Sequence, residues 1–410
     1  MKRDIDRLMG ERGIDAAIVV GAIKGNPTMY YVVNGAALSH AIVVKKRGED
    51  AILLCGSMER EEAEASGLTV VDMAKYDYMK ILKEAGGDRL KAQVGYYRAI
   101  FEEFGVKGRV AFYGLVEVGA YRAFLAALED ALPGVEIAGE FSDNIFLTAR
   151  MTKGPEEIER IREAGRKTCE IVSHVAEFLA SHRVEGGTLV KDDGTPLTVA
   201  DCKTEIKLGM ARRRLIEEVD TIFAIGRDAG IPHSRGRDTD PIETGKTIVF
   251  DIFPQEDGGG YFFDMTRTFV VGEAPEEIRK AYAELEECHD TLTAALKAGE
   301  SASVYQTMTC DFMEAHGHET PRTNPRVRNG YVHSLGHGVG LAIHEKPTLT
   351  DAPGNEDVLA PGSVFTVEPG IYYPDKGWGM RIEDVYCVHE DGTIENLTKY
   401  PRGLELEPRS

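Results

Sequence analysis

The sequence predicts an α/β (α+β) protein with a mixed α/β domain over residues 1–150 and a second domain over residues 151–410 carrying an internal pseudo-twofold repeat. Three observations predict it. β-rich runs alternate with helical patterns through the first third. Gly154-Pro155-Glu156-Glu157-Ile158 opens a long amphipathic stretch, and Ala274-Pro275-Glu276-Glu277-Ile278 does so again 120 residues later. Each is followed by a second helical stretch and then by strand-like segments, the pattern of a duplicated unit with a site between its halves.

Taken in order, strands are expected at Asp15–Val20, Met29–Val33, Ala41–Val44, Ala51–Leu54, Thr69–Val71 and Val110–Tyr113. Helices are expected at Glu59–Ala65, through Tyr78–Phe104 and at Gly119–Leu132. Asp143–Arg150 leads into Met151-Thr152-Lys153-Gly154-Pro155, which reads as a hinge. Pro155 suits the first turn of a helix, and Glu156 and Glu157 suit the positive end of its dipole. Second helices fall near Val199–Arg213 and Val304–Ala315, and the two units together are expected to form one sheet wrapped by helices.

The 410 residues hold 48 Lys and Arg against 68 Asp and Glu, a formal charge of −20. So acidic a surface repels phosphate backbones and anionic lipids, which argues against nucleic-acid and membrane partners. At 42% apolar and 28% charged, the chain is ordinary for a globular protein with a sizeable core. None of Cys55, Cys169, Cys202, Cys288, Cys310 and Cys387 forms a CxxC pair, which excludes zinc-ribbon and thioredoxin-type motifs. The charged start from Met1 to Arg7 lacks the apolar stretch of an export signal, and Ala16–Ile23 is far short of the roughly 20 residues of a membrane span. The expectation is a cytoplasmic protein with free core thiols.

The chemistry concentrates in four segments. Ile248-Val249-Phe250-Asp251-Ile252 is an apolar strand holding a carboxylate. Tyr261-Phe262-Phe263-Asp264-Met265-Thr266 is a second, preceded by Gly258-Gly259-Gly260, which suits a hairpin turn. His337 lies among Gly336, Gly338 and Gly340, whose small size would let the backbone approach bound ions. Glu368 follows Val364-Phe365-Thr366-Val367, and Glu383 sits in Met380-Arg381-Ile382-Glu383-Asp384-Val385. A carboxylate in an apolar strand is costly unless compensated. Taken singly, each is readily explained by its own salt bridge or by exposure. Together with a glycine-flanked histidine, four of them favour a shared cation site. Their −4 balances two divalent cations, and bridging carboxylates would hold such ions roughly 3.5–4 Å apart. Oxygen-rich ligation with one imidazole suits Mn, Co, Fe or Zn.

At this point the chain resembles the pita-bread (creatinase/prolidase-like) metallopeptidases, in the branch of Xaa-Pro aminopeptidases and Xaa-Pro dipeptidases. Asn26-Pro27 through Tyr31 to Gly35 resembles an N-terminal motif of the branch, and Lys153 to about Leu397 resembles its catalytic domain. The resemblance implies a pita-bread catalytic domain and two divalent ions held by Asp251, Asp264, His337, Glu368 and Glu383. Asp251 would serve one ion, Asp264 and Glu383 would bridge both, and His337 and Glu368 would complete the other. It also implies Glu368 as proton shuttle, and His233 and His344 facing the substrate. Short proline-containing peptides are the implied substrates and a homodimer the implied assembly.

Two departures stand out. Asp251 and Asp264 lie 13 residues apart, two more than the usual spacing, and Phe253 replaces a glycine of the motif. Thr348 stands where dipeptidases of the branch often carry an arginine for the dipeptide carboxylate, with Lys346, Arg235 and Arg237 as possible substitutes. On Thr348 alone, tripeptides are expected to be cleaved at least as well as dipeptides. A lyase on the same scaffold, or a non-enzymatic binding protein of that fold, are the alternatives. Other motifs fail: Gly245-Lys246-Thr247 lacks the earlier glycine of a P-loop, and His344-Glu345 lacks the second histidine of a zincin helix.

Overall fold

The computed structural model describes residues 4–409. The chain divides into two compact units, one running to Ala149 and including Gly258–Gly260, the other comprising Arg150–Asp257 and Tyr261 onward.

The first unit is built on a six-stranded mixed sheet. In spatial order its strands are Thr69–Asp72, Ile52–Cys55, Ala41–Lys46, Ala16–Gly21, Gly108–Tyr113 and Val135–Ala138. The central strand Ala16–Gly21 is wholly buried, antiparallel to Ala41–Lys46 and parallel to Gly108–Tyr113. The helices Arg89–Phe104 and Val118–Ala131 contribute Tyr97, Ile100, Phe101, Phe124 and Leu128 to the core over this sheet.

Three expectations need correction. Met29–Val33 is not a strand: Pro27–Val32 is helical. The Asn26 side chain accepts from Met29 N at 3.1 Å and Pro27 occupies the first turn, so a local cap overrides the β-branched and aromatic composition. The stretch Tyr78–Phe104 is two helices, Tyr78–Glu84 and Arg89–Phe104. Gly86 and Gly87 take φ of +67° and +84°, and Asp88 caps the second helix through Leu90 N and Lys91 N. Nor is Met151–Pro155 a loose connector. Thr152 bridges to Ser363, Lys153 N donates to Gly362 O at 2.8 Å, and buried Lys153 Nζ lies 2.7 Å from Glu345.

In the second unit, Pro155–Ala180 starts where Pro155 and the acidic first turn predict. Its buried stripe runs Ile158, Ile161, Ala164, Cys169, Val172, Val175 and Leu179, each fully buried aliphatic side chain contributing about 1.5–3 kcal/mol relative to exposure. A side chain at Gly165 would overlap the Phe263 ring, so this glycine seats the helix against the residue preceding Asp264. The second copy of the pattern is the helix Glu276–Ala295, and the paired helices are Val199–Arg212 and Ala302–Ala315.

The strands do not form one hydrogen-bonded sheet. Ile222–Ile225, Thr247–Ile252, Met265–Val271 and Glu405–Leu406 make a four-stranded sheet. Glu345–Leu349, Gly336–Gly338, Val364–Val367, Asp384–Val388 and Ile394–Asn396 make a five-stranded one. Thr266 bridges to Glu383 where the two sheets meet. Beside it, Thr268 Oγ1 accepts from Arg381 N at 2.9 Å and donates to Arg381 O at 3.0 Å, tying the four-stranded sheet to the separate strand pair Gly370–Tyr373 and Trp378–Arg381. No helix among the described residues is long and apolar enough to cross a membrane, and all six cysteines are buried and free.

Candidate metal centre

The predicted residues converge where the two sheets meet. Asp251 comes from the wholly buried strand Thr247–Ile252, opposite Ile222 on one side and Thr266 on the other. Asp264 immediately precedes the buried strand Met265–Val271. His337 lies in Gly336–Gly338, Glu368 follows Val364–Val367, and Glu383 precedes Asp384–Val388. All five line one cavity of about 710 Å³, together with His233, His344 and Thr348.

The glycines around His337 act differently from the expectation. A side chain at Gly336 would overlap Thr366 O, and one at Gly338 would overlap Lys346 O. They bring this strand against its neighbours' backbones rather than opening a path to ions. His337 is thereby held at the cavity, with its backbone N–H donating to Thr366 Oγ1 at 3.0 Å.

Asp264, His337 and Glu383 each offer a ligand atom within 4.8 Å of the others. His337 Nδ1 is 3.1 Å from Gly338 O, an acceptor only, so it carries the proton and Nε2 presents a lone pair. That Nε2 lies 3.4 Å from Glu368 Oε1 and 3.6 Å from Asp264 Oδ2. Burial pushes the His337 pKa down to about 3, with His344 adding to the shift, so the ring is neutral and able to coordinate. The His337 and His344 rings meet edge-on at 4.3 Å.

The carboxylates crowd one another. Burial, then Glu383, Asp251 and Glu368, holds the Asp264 pKa well above its ordinary value. Burial and Glu383 do the same to Glu368. Burial and Asp251 raise Glu383 to about 8, although Thr266 Oγ1 donates to its Oε2 at 2.7 Å.

Sequence reasoning missed Arg381, the buried cation that the described residues place among them. Arg381 Nη2 bonds Asp251 Oδ2, its Nε donates to Thr266 Oγ1 at 2.9 Å, and its Nη1 donates to Tyr372 OH at 3.1 Å. Tyr372 OH is also 2.9 Å from His333 Nε2. Because His333 Nδ1 faces Ser334 O at 2.7 Å, Tyr372 is the donor to Nε2. The chain Asp251–Arg381–Tyr372–His333 thus links the carboxylates to a further histidine of the cavity lining. Two residues before Glu383, Arg381 reads in sequence as any strand cation; the buried acids needing a counter-charge were the only signal for it.

The donor set fits divalent cations. One guanidinium stands against four carboxylates, and Asp251 Oδ1 and Asp264 Oδ1 are buried without a hydrogen-bond partner among the described residues. Buried carboxylate oxygens without a protein donor, with Asp264 Oδ2 3.6 Å from the His337 Nε2 lone pair, make a donor set that suits a Lewis acid.

A mixed α/β fold with buried carboxylates and a neutral histidine converging on one cavity defines a metallohydrolase-type centre. The sequence pattern of Metallopeptidase family M24 matches residues 159–390, more than half of the chain, and the chain belongs to that family. An Xaa-Pro dipeptidase of Pyrococcus furiosus is 29% identical over 409 residues, covering 98% of this chain and 100% of that protein. A probable dipeptidase, PepE, of Mycobacterium tuberculosis is 29% identical over 308 residues, 73% of this chain and 74% of its own. The solved prolidase of Pyrococcus furiosus superimposes with a TM-score of 0.72 at 27% identity, covering 97% of this chain and 100% of that one. The fold is therefore the pita-bread fold of the prolidases, and the family implies divalent metal cofactors.

Proposed function

We propose that this protein is a metal-dependent exopeptidase that hydrolyses Xaa-Pro bonds in short peptides. In this reading residues 1–150 form the N-terminal domain and 151–410 the catalytic domain. Two divalent ions (Mn, Co, Fe or Zn) would be held by Asp251, Asp264, His337, Glu368 and Glu383. The protein works in the cytoplasm as a homodimer. The observation that carries the reading is the convergence of four carboxylates and one neutral imidazole on a single cavity, with two buried carboxylate oxygens unpartnered. The names of the similar dipeptidases and prolidase support the Xaa-Pro substrate.

When bound, the ions supply Lewis acidity and a nucleophile usable at neutral pH. The protein's own groups do the rest. Glu368 accepts the proton of the attacking water and delivers it to the departing proline nitrogen. That nitrogen carries no hydrogen in the peptide bond, so protonation on departure is required. Burial and His233 lower the His344 pKa, so His344 is neutral and retains one N–H to donate. His344 and His233 hold the scissile carbonyl as negative charge develops on its oxygen. Arg381 fixes Asp251 and, through Tyr372, the wall behind it. Phe253, Ile222 and Ile343 supply an apolar side that excludes water from the bond.

The test is cleavage of a peptide library by protein loaded with Mn, Co or Zn, read by mass spectrometry. The expected product is the residue released from in front of proline. Cleavage with no preference for proline at the second position, or no cleavage with any metal, overturns the proposal.

A further inference from the structure

The cation inventory of the cavity singles out one side chain. Among its lining residues the cations are Arg235 and Arg381. Arg381 is buried and held by Asp251, Thr266 and Tyr372, with its charge paired to Asp251. Thr348 lines the cavity, but its hydroxyl donates to Asp357 Oδ2 at 3.1 Å and so turns only lone pairs to a ligand. Lys346 Nζ is bound to the other oxygen of Asp357, and Arg237 Nε leans on Asp228 at 3.4 Å; neither lines the cavity.

Arg235 differs in every respect. Its side chain is 54% exposed at the rim, and its Nη1 holds Asp220 Oδ2 at 2.7 Å, with Asp220 itself 57% exposed. An ion pair that open to water is weak and exchangeable. The guanidinium's remaining N–H groups form a planar fork matched to a carboxylate. Apart from the two arginines and the histidines, every titratable side chain of the lining is an acid: Asp220, Asp251, Asp264, Glu368 and Glu383. An anionic substrate group therefore has one place at the rim where it is attracted.

We propose that Arg235 is the specificity-determining residue that binds a substrate carboxylate, exchanging its Asp220 partner for it. The inference rests on the Xaa-Pro peptidase reading above. A carboxylate there comes either from the C-terminus of an Xaa-Pro dipeptide or from an acidic side chain ahead of proline; the first makes the enzyme prefer dipeptides, against the expectation from Thr348 alone.

The experiment uses the full chain loaded with Mn and three substrates: Ala-Pro, Ala-Pro amide and Glu-Pro amide. Wild type is compared with Arg235→Ala, Arg235→Lys and Asp220→Asn. Expected is a kcat/KM for at least one carboxylate-bearing substrate about 10-fold above that for Ala-Pro amide, the size of one charged hydrogen bond in excess of a neutral one. Arg235→Ala should abolish that preference through KM with kcat little changed, and Arg235→Lys should keep part of it. Asp220→Asn should move KM the opposite way, tightening the same substrate, because the fork is freed. A merely structural role for the pair predicts that both variants weaken binding together. Preference for Ala-Pro assigns the C-terminal carboxylate, and preference for Glu-Pro amide assigns the side chain. If wild type cleaves Xaa-Pro peptides and the ratios are unchanged in Arg235→Ala, this inference alone falls. If wild type cleaves none of the three, the underlying reading falls with it.

Discussion

Arg381 and Asp251, 130 residues apart in the chain, form an ion pair buried beneath the carboxylate cluster, with side chains only 4% and 8% exposed. The same guanidinium lies 3.9 Å from Glu383 Oε2 and 4.0 Å from Glu368 Oε2. It neutralises Asp251 before any cation binds, while burial and mutual repulsion push Asp264, Glu368 and Glu383 toward their protonated forms. Removing one partner of such a pair leaves an uncompensated buried charge, at a cost of about 3–5 kcal/mol. Arg381→Met should destabilise EDTA-treated protein by about that amount in urea denaturation, and added divalent metal should recover part of the loss. A variant as stable as wild type without metal would mean that the acids do not depend on this guanidinium.

Asp264 faces His337 and has an unpartnered buried oxygen. Asp264→Asn keeps the shape and removes one negative charge. Metal content by elemental analysis after reconstitution should fall from near two ions per chain, and activity should fall with it. Full activity together with full metal content would rule out the two-ion site.

His233 and His344 line the cavity but stand outside the set Asp264, His337 and Glu383. His233→Ala and His344→Ala should each lower kcat by about 10²-fold or more while bound metal stays constant. Loss of metal from His344→Ala would make that residue a ligand.

The pH dependence of stability follows from the raised carboxyl groups. Glu383 titrates near 8 in the folded, metal-free protein against an ordinary value of 4.5, and Asp264 and Glu368 are raised too. Between those limits the folded state holds protons that the unfolded chain has released. This contribution is fully present below about 4.5 and is lost as pH rises through about 8. Divalent cations compete with the same protons, so their binding strengthens over the same range. In thermal melts of EDTA-treated protein, the rise in Tm on adding Mn should therefore be larger at pH 8.5 than at pH 5.5. An equal or smaller rise at the higher pH would contradict the assignment.

Gly338 tests the close approach of strands. A methyl there would overlap the Lys346 carbonyl, and backbone cannot swing aside as a side chain can. Gly338→Ala should cost about 1–3 kcal/mol and shift His337, lowering metal affinity. Gly354→Ala, a position with open space but φ of +85°, supplies a control for backbone strain without a clash. If the two variants lose equal stability and neither loses metal affinity, the packing role is wrong.

What the sequence singled out by itself was the set of acids and histidines that line the cavity. Asp251, Asp264, Glu368 and Glu383 stood out only as a set: each alone is explained by a salt bridge or exposure, but four acids in apolar β runs with one glycine-flanked histidine favour a shared cation site. Pro155 and Glu157 also marked their helix correctly, since capping is local; Glu157 accepts from Gly154 N at 2.7 Å. Where the signals were local but conflicting, as at Asn26–Val33, composition misled and the cap decided. Only the tertiary structure decided the partners. The pairing of Arg381 with Asp251, the Tyr372–His333 link behind it, and the capture of Thr348 and Lys346 by Asp357 depend on which strands lie side by side. The same holds for Gly336 and Gly338, whose purpose lies in the backbones of Thr366 and Lys346. A side chain's type is written in the sequence; which distant group neutralises it is set by strand register and packing, and that is what leaves Arg235 as the exposed cation of the cavity wall.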